Sequence, residues 1–109
     1  MTVGVCCFEI HVPDAQSLKD KRKVVRRLKD RLRARHNVAV SEVEEHAGLW
    51  QRAGFVVVSI ATNRDVLTRL FEAVHREAEA NVPGPVILTG TEFIDAADVG
   101  PDDWSSEDS

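Results

Sequence analysis

The chain has 109 residues, is 43% apolar and 29% charged, and carries a formal net charge of −4, the proportions of one globular domain large enough to bury an ordinary core. No apolar run approaches the roughly eighteen residues a membrane-spanning helix needs. The opening MTVGVCCFEIHV has no basic segment ahead of its apolar stretch, so no signal peptide is read and the expected compartment is the cytoplasm.

Residues 2–12, TVGVCCFEIHV, are β-branched and apolar with Glu9 and His11 on alternate positions, which predicts a strand with one face better covered than the other. Adjacent Cys6 and Cys7 then point to opposite faces, so they are expected to stay reduced, and no further cysteine is present to build a metal knuckle. Residues 13–16 form a turn. Ser17 opens a helix, with Asp20 as its reciprocal partner in a capping box. Leu18, Val25, Leu28 and Leu32 make one apolar stripe running to about His36, where Asn37 supplies a stop. Residues 37–46, NVAVSEVEEH, read as a second strand that ends in acids. The loop after it carries Gly48 and Trp50, the indole expected to cap one end of the core. Residues 54–62, GFVVVSIAT, form a short apolar run expected to be a central strand buried on both faces. Thr62 and Asp65 repeat the capping-box spacing before a second amphipathic helix through Val66, Leu67, Leu70, Phe71, Val74 and Ala78, which "NVPGP" ends sharply. Residues 85–94 read as the last strand. Residues 96–109 form an acidic tail with no base, expected to be disordered from about Gly100.

The order βαββαβ, with right-handed crossovers, predicts an α+β ferredoxin-like domain over residues 1–95: a four-stranded antiparallel sheet with two helices on one face. That fold serves many unrelated functions and decides none of them.

The charge distribution says more. Ten of the fourteen Lys and Arg lie in residues 17–35, SLKDKRKVVRRLKDRLRAR, against Asp20 and Asp30 alone, a net of +8 in nineteen residues. At 100° per residue Lys19, Lys23, Arg26, Arg27 and Arg33 lie away from the apolar stripe, with Arg22 on its shoulder. Lys21 and Arg35 fall nearer that stripe, where long stems are expected to reach outward, and Asp30 can pair with Arg26 and Arg33. A solvated face is the ordinary explanation of a charge run. Here, however, Lys19, Lys21, Arg22 and Lys23 crowd the first turn against the helix dipole, each unfavourable by roughly 0.3–1 kcal/mol at low salt. Lys19–Lys23, Lys23–Arg27 and Arg22–Arg26 add like-charge pairs one turn apart, at a few tenths of a kcal/mol each. Such a helix is expected to meet an external polyanion, or else internal acids at residues 42–46 or in the tail, which would mask the site. A lipid surface is disfavoured because the core needs the apolar face.

The sheet lacks the aromatics with which RNA-recognition domains stack bases: Val58 and Ile60 stand where the later ones would be in "RAGFVVVSI", and the open face of the first strand offers Val3, Val5, Cys7, Glu9 and His11. Nucleic acid, if bound, is therefore bound by phosphates with little sequence preference, through Lys19, Arg22, Lys23, Arg26, Arg27 and Arg33. His11, His36, His46 and His75 lack metal spacing, although His11 and His46 can share one sheet end near Glu44 and Glu45. No phosphate loop or nucleophile elbow is present. No enzyme activity, cofactor, metal or small-molecule substrate is expected. Val3, Val5 and Cys7, joined by Val57 or Val58, leave the open sheet face apolar, which predicts a homodimer through it.

The stretch SLKDKRKVVRRLKDRLRARHNVAVSEV resembles the YlxP-like family of small bacterial proteins, a domain of unknown function, and the likeness extends over residues 2 to about 95. It falls on Ser17, Leu18, Lys19, Asp20, Lys21, Arg22, Asn37, Val38, Val40, Glu42 and Val43, several of them caps and core. Residues 48–50 and the acidic tail depart from the family pattern. The resemblance implies a ferredoxin-like fold and no established activity. Because family members are commonly encoded among translation and ribosome-maturation genes, it also implies RNA or a ribosomal particle rather than DNA. The rival expectation is a protein-interaction module whose basic helix docks an acidic partner.

Overall fold

A computed structural model describes residues 1–43 and 49–99. Its elements are β1 (Thr2–His11), α1 (Leu18–Arg35), β2 (Ala39–Val43), β3 (Arg52–Ala61), α2 (Arg64–Asn81) and β4 (Val86–Asp95). They form one antiparallel sheet in the order β2-β3-β1-β4. This is the ferredoxin-like α+β arrangement, and no helix among the described residues is long and apolar enough to cross a membrane.

Alternation along β1 sends Gly4, Cys6, Phe8 and Ile10 to the buried face and Val3, Val5, Cys7, Glu9 and His11 to the other, as period-two geometry requires. On the buried face Phe8 stacks on Phe55 of β3 at 5.2 Å between centroids. Val25, Leu28 and Leu32 of α1 and Leu67, Phe71, Val74 and Ala78 of α2 close over them. Two glycines allow close approach. A Cβ on Gly4 would stand 2.8 Å from the Phe71 ring, and one on Gly84 would stand 2.3 Å from the His11 carbonyl oxygen.

Several expectations shift. β3 is central in pairing but buried on one face only: Ala53, Phe55, Val57 and Ser59 are covered, while Val56 and Val58 are half-buried and Ile60 is 52% exposed. The reason is that both helices lie on one side. It is therefore Val58, not Val57, that joins the open face. Trp50 is 53% exposed and does not cap the core. The cap of α2 is Asn63, whose Oδ1 accepts from Val66 N at 3.1 Å, one residue later than Thr62. In α1, Ser17 accepts from Asp20 N, but Asp20 accepts in return from Gln16 N rather than from the cap residue itself. α1 ends at Arg35 with His36 as its cap in extended geometry. β2 begins at Ala39, and the acidic end expected for it, with His46 and Gly48, lies outside the described residues. The fold runs past residue 95: Ala96–Asp98 form a 3₁₀ turn, Ala96 is buried, and its N–H donates to the Met1 carbonyl at 3.0 Å. The tail from residue 100 lies outside the described residues.

Candidate functional site

Positions i, i+3, i+4 and i+7 share one side of a helix. Lys19, Arg22, Lys23 and Arg26 occupy that spacing, and together they line a shallow surface cavity of about 240 Å³. The cradle extends about 10 Å along the axis at 1.5 Å per residue. All four are exposed, as is neighbouring Arg27. Among the described residues no ion pair includes any of these five, nor half-buried Lys29.

The other four bases of α1 are tied into the fold. Lys21 is only 2% exposed; its Nζ donates to the Arg52 carbonyl at 3.3 Å and lies 3.8 Å from Glu42 Oε2. It therefore turns inward along the apolar stripe instead of reaching out. Glu42 can meet it because β2 presents Glu42, opposite Phe55, to the helix side. Arg33 donates through Nη2 to the Val40 carbonyl at 2.8 Å. Of the six candidate contacts, this one is already engaged by β2. Arg31 Nε donates to Glu77 Oε2 at 2.8 Å, and Arg35 Nε lies 3.3 Å from Glu77 Oε1. The Arg31 hydrogen bond, aided by the Arg35 charge, holds the Glu77 carboxyl below the ordinary glutamate range. His36 Nε2 is buried without a hydrogen-bond partner, 3.8 Å from the same carboxylate.

Asp30 makes no ion pair with Arg26 or Arg33 among the described residues, because Arg33 is drawn toward β2. Glu77 is the internal acid that sequence reasoning missed: it stands on α2, and only the packing of the two helices brings it to Arg31 and Arg35. Glu42 was foreseen within the acidic strand end, and Glu44 and Glu45 lie outside the described residues.

Elsewhere, His11 Nε2 lies 3.2 Å from Glu9 Oε1, to which Arg52 Nε also donates. This is an ion-paired cluster with no third histidine or carboxylate to hold a metal among the described residues. A cavity of about 620 Å³ lies between α2 and β4 over Cys6, Leu88, Phe71 and Phe93, with Arg64 stacked 4.5 Å above the Phe93 ring. Burial pushes the Cys6 thiol up, only partly offset by a hydrogen bond with Thr91, which disfavours the thiolate that reacts as a nucleophile.

Against known proteins, the family described as Protein of unknown function (DUF503) matches residues 3–90. The uncharacterized protein YlxP of Bacillus subtilis (strain 168) is 34% identical over 62 residues, which cover 57% of this chain and 66% of that relative's own length.

Proposed function

The chain belongs to the DUF503 family, and from that membership and the geometry of α1 we propose a cytoplasmic protein that binds structured RNA or a ribosomal particle through phosphates, without reading sequence. One observation carries this reading: Lys19, Arg22, Lys23 and Arg26 form a single cradle with no acid paired to them among the described residues, while the neighbouring bases are held by Glu42, Glu77 and a backbone carbonyl. Like charges one turn apart repel, and an anion that bridges them removes that repulsion. Phosphates of one strand rise about 3.4 Å each, so a cradle of about 10 Å faces roughly three or four of them. Arg27 on the adjoining side adds a contact, and Arg33 supports the helix against β2 rather than touching the ligand. β1 and β3 bring no Phe, Tyr or Trp to the open sheet face, which argues against base stacking there.

The test is binding to a generic RNA duplex and to ribosomal subunits across a salt series. Log affinity is expected to fall against log salt with a slope of about −4 to −5, as five phosphate contacts require. Arg26→Glu/Arg27→Glu is expected to abolish binding with the far-UV spectrum intact, and Arg69→Glu on α2 to leave it nearly unchanged. Silence of the wild type toward both ligands at low salt overturns the reading and hands the cradle to an acidic protein partner. Equal loss with Arg69→Glu makes the attraction one of diffuse charge and also overturns it.

A further inference from the structure

The sheet face turned away from the helices has no covering element among the described residues, and strand register fixes what it presents. Val3 lies between Ile60 and Ile94, Val5 between Val58 and Glu92, and Cys7 between Val56 and Gly90. Ile60 and Ile94 are 52% and 38% exposed. Charge is confined to the rim. Arg52 and His11 both lie against the Glu9 carboxylate at one end, and Glu92 stands on the edge strand. The apolar rows are broken at Gly54 and Gly90, where missing side chains leave a dimple of about 320 Å³ beside Cys7 and Glu9.

We propose that a second copy of this chain covers this face, sheet on sheet. Area is the first argument. Three ten-residue strands and one five-residue strand, at about 3.4 Å per residue and about 4.8 Å between strands, present about 600 Å². Two copies would bury about 1,200 Å², enough for a specific association at the small end of the range. Composition is the second: Glu9, Arg52 and His11 neutralise one another at one end, and Glu92 on the edge strand is the face's one charge without an ion pair among the described residues. An apolar centre with so little charge suits an isologous pair that sets like apolar rows on one another. Shape is the third. A two-fold axis lying across the strands at the level of residue 6 keeps β3 over β3 and β1 over β1 while reversing their direction. It sets Ile60 of each copy over Gly54 of the other, a projecting side chain over the dimple. The two Cys7 residues then flank the axis, about 7 Å apart along the strands.

The helices lie on the far side of each sheet, so the pair presents its two basic cradles outward in opposite directions. For RNA this means bivalence, a consequence that rests on the phosphate reading of α1 and is measured apart from the dimer itself.

The experiment is sedimentation equilibrium of the full chain without RNA, from about 1 to 200 μM, the weak end of the affinity range for so small an interface. A dimer mass is expected at the upper concentrations. Ile60→Glu, an exposed position, is expected to give a monomer with an unchanged far-UV spectrum. Arg26→Glu/Arg27→Glu is expected to dimerise like the wild type, so failure of RNA binding and failure of dimerisation read out separately. A short bis-maleimide is expected to cross-link the wild type and Cys6→Ser but neither Cys7→Ser nor Ile60→Glu. A monomer at every concentration overturns the proposal, as does a dimer that survives Ile60→Glu or a cross-link that persists in Cys7→Ser. Given dimerisation, the wild type should bridge two separate short duplexes, one to each cradle, and sediment with two duplexes per dimer, whereas Ile60→Glu should bind one duplex per chain without bridging.

Discussion

The two halves of α1 carry the same kinds of side chain and meet different fates. Toward the C-terminus, Arg31 and Arg35 close on Glu77 and Arg33 closes on the Val40 carbonyl. Toward the N-terminus, Lys19, Arg22, Lys23 and Arg26 surround a cavity with no acid paired to them among the described residues. Lys21, in the midst of that half, is the exception: it lies on the inward side and is buried. The density of positive charge along a helix is thus a poor guide to a site. What separates a structural base from an available one is whether the packed neighbour offers an acceptor at that turn.

The most forceful way to break this comparison is reversal of the free half. Arg26→Glu/Arg27→Glu removes two contacts and adds two anions, so affinity for an RNA duplex is expected to fall by roughly 100-fold or more near 0.1 M salt, with the slope of log affinity flattened by about 2. A filter-binding salt series measures both. Next in size is Lys21→Ala. It removes a buried cation and leaves Glu42 and the Arg52 carbonyl without it, a loss of about 2–3 kcal/mol in denaturant unfolding, while the folded fraction should keep the wild-type salt slope.

Glu77→Gln sharpens the comparison from the other side by turning tied bases into free ones. Arg31 and Arg35 become available, and the RNA salt slope is expected to steepen by about 1. Its effect on stability has a definite sign. The folded-state carboxyl is held low by Arg31, so its contribution is fully present above the unfolded glutamate value and is lost as pH falls through the folded one. The wild-type advantage over Glu77→Gln in thermal unfolding should accordingly be present at neutral pH and vanish in acid. The smallest effect belongs to Asp30→Asn. With no ion pair to lose among the described residues, it should alter stability by less than about 0.5 kcal/mol and strengthen RNA binding slightly, by removing one anion from a basic face.

Much of the fold was legible because its periodicities are clean. Alternation in β1 identified both faces residue by residue, and the stripe of Val25, Leu28 and Leu32 identified the buried side of α1. The angular position of Lys21 was legible too, but its depth was not: a helical wheel gives direction, and only the arrival of β2 with Glu42 decides whether a stem emerges or stays. Glu77 was illegible for the same reason, since its meeting with Arg31 depends on how two helices cross. The double-sided burial expected of β3 failed because an apolar run reports affinity for cover, not the presence of one. Four of the six candidate contacts fall together in the cradle, because spacing along a single helix is a local property. Arg33 departs from them because its acceptor lies on another element.

The position of β1 also bears on how the chain is made. β1 is translated ahead of both its sheet neighbours, which come late: His11 pairs with Arg52, and Thr2 with Asp95. During synthesis at about 5–20 residues per second, this apolar strand therefore spends several seconds without either partner. Such non-local pairing slows folding. The nascent chain thus has a window in which TVGVCCFEIH stands without either sheet neighbour, and a pause in translation ahead of β3 would prolong it.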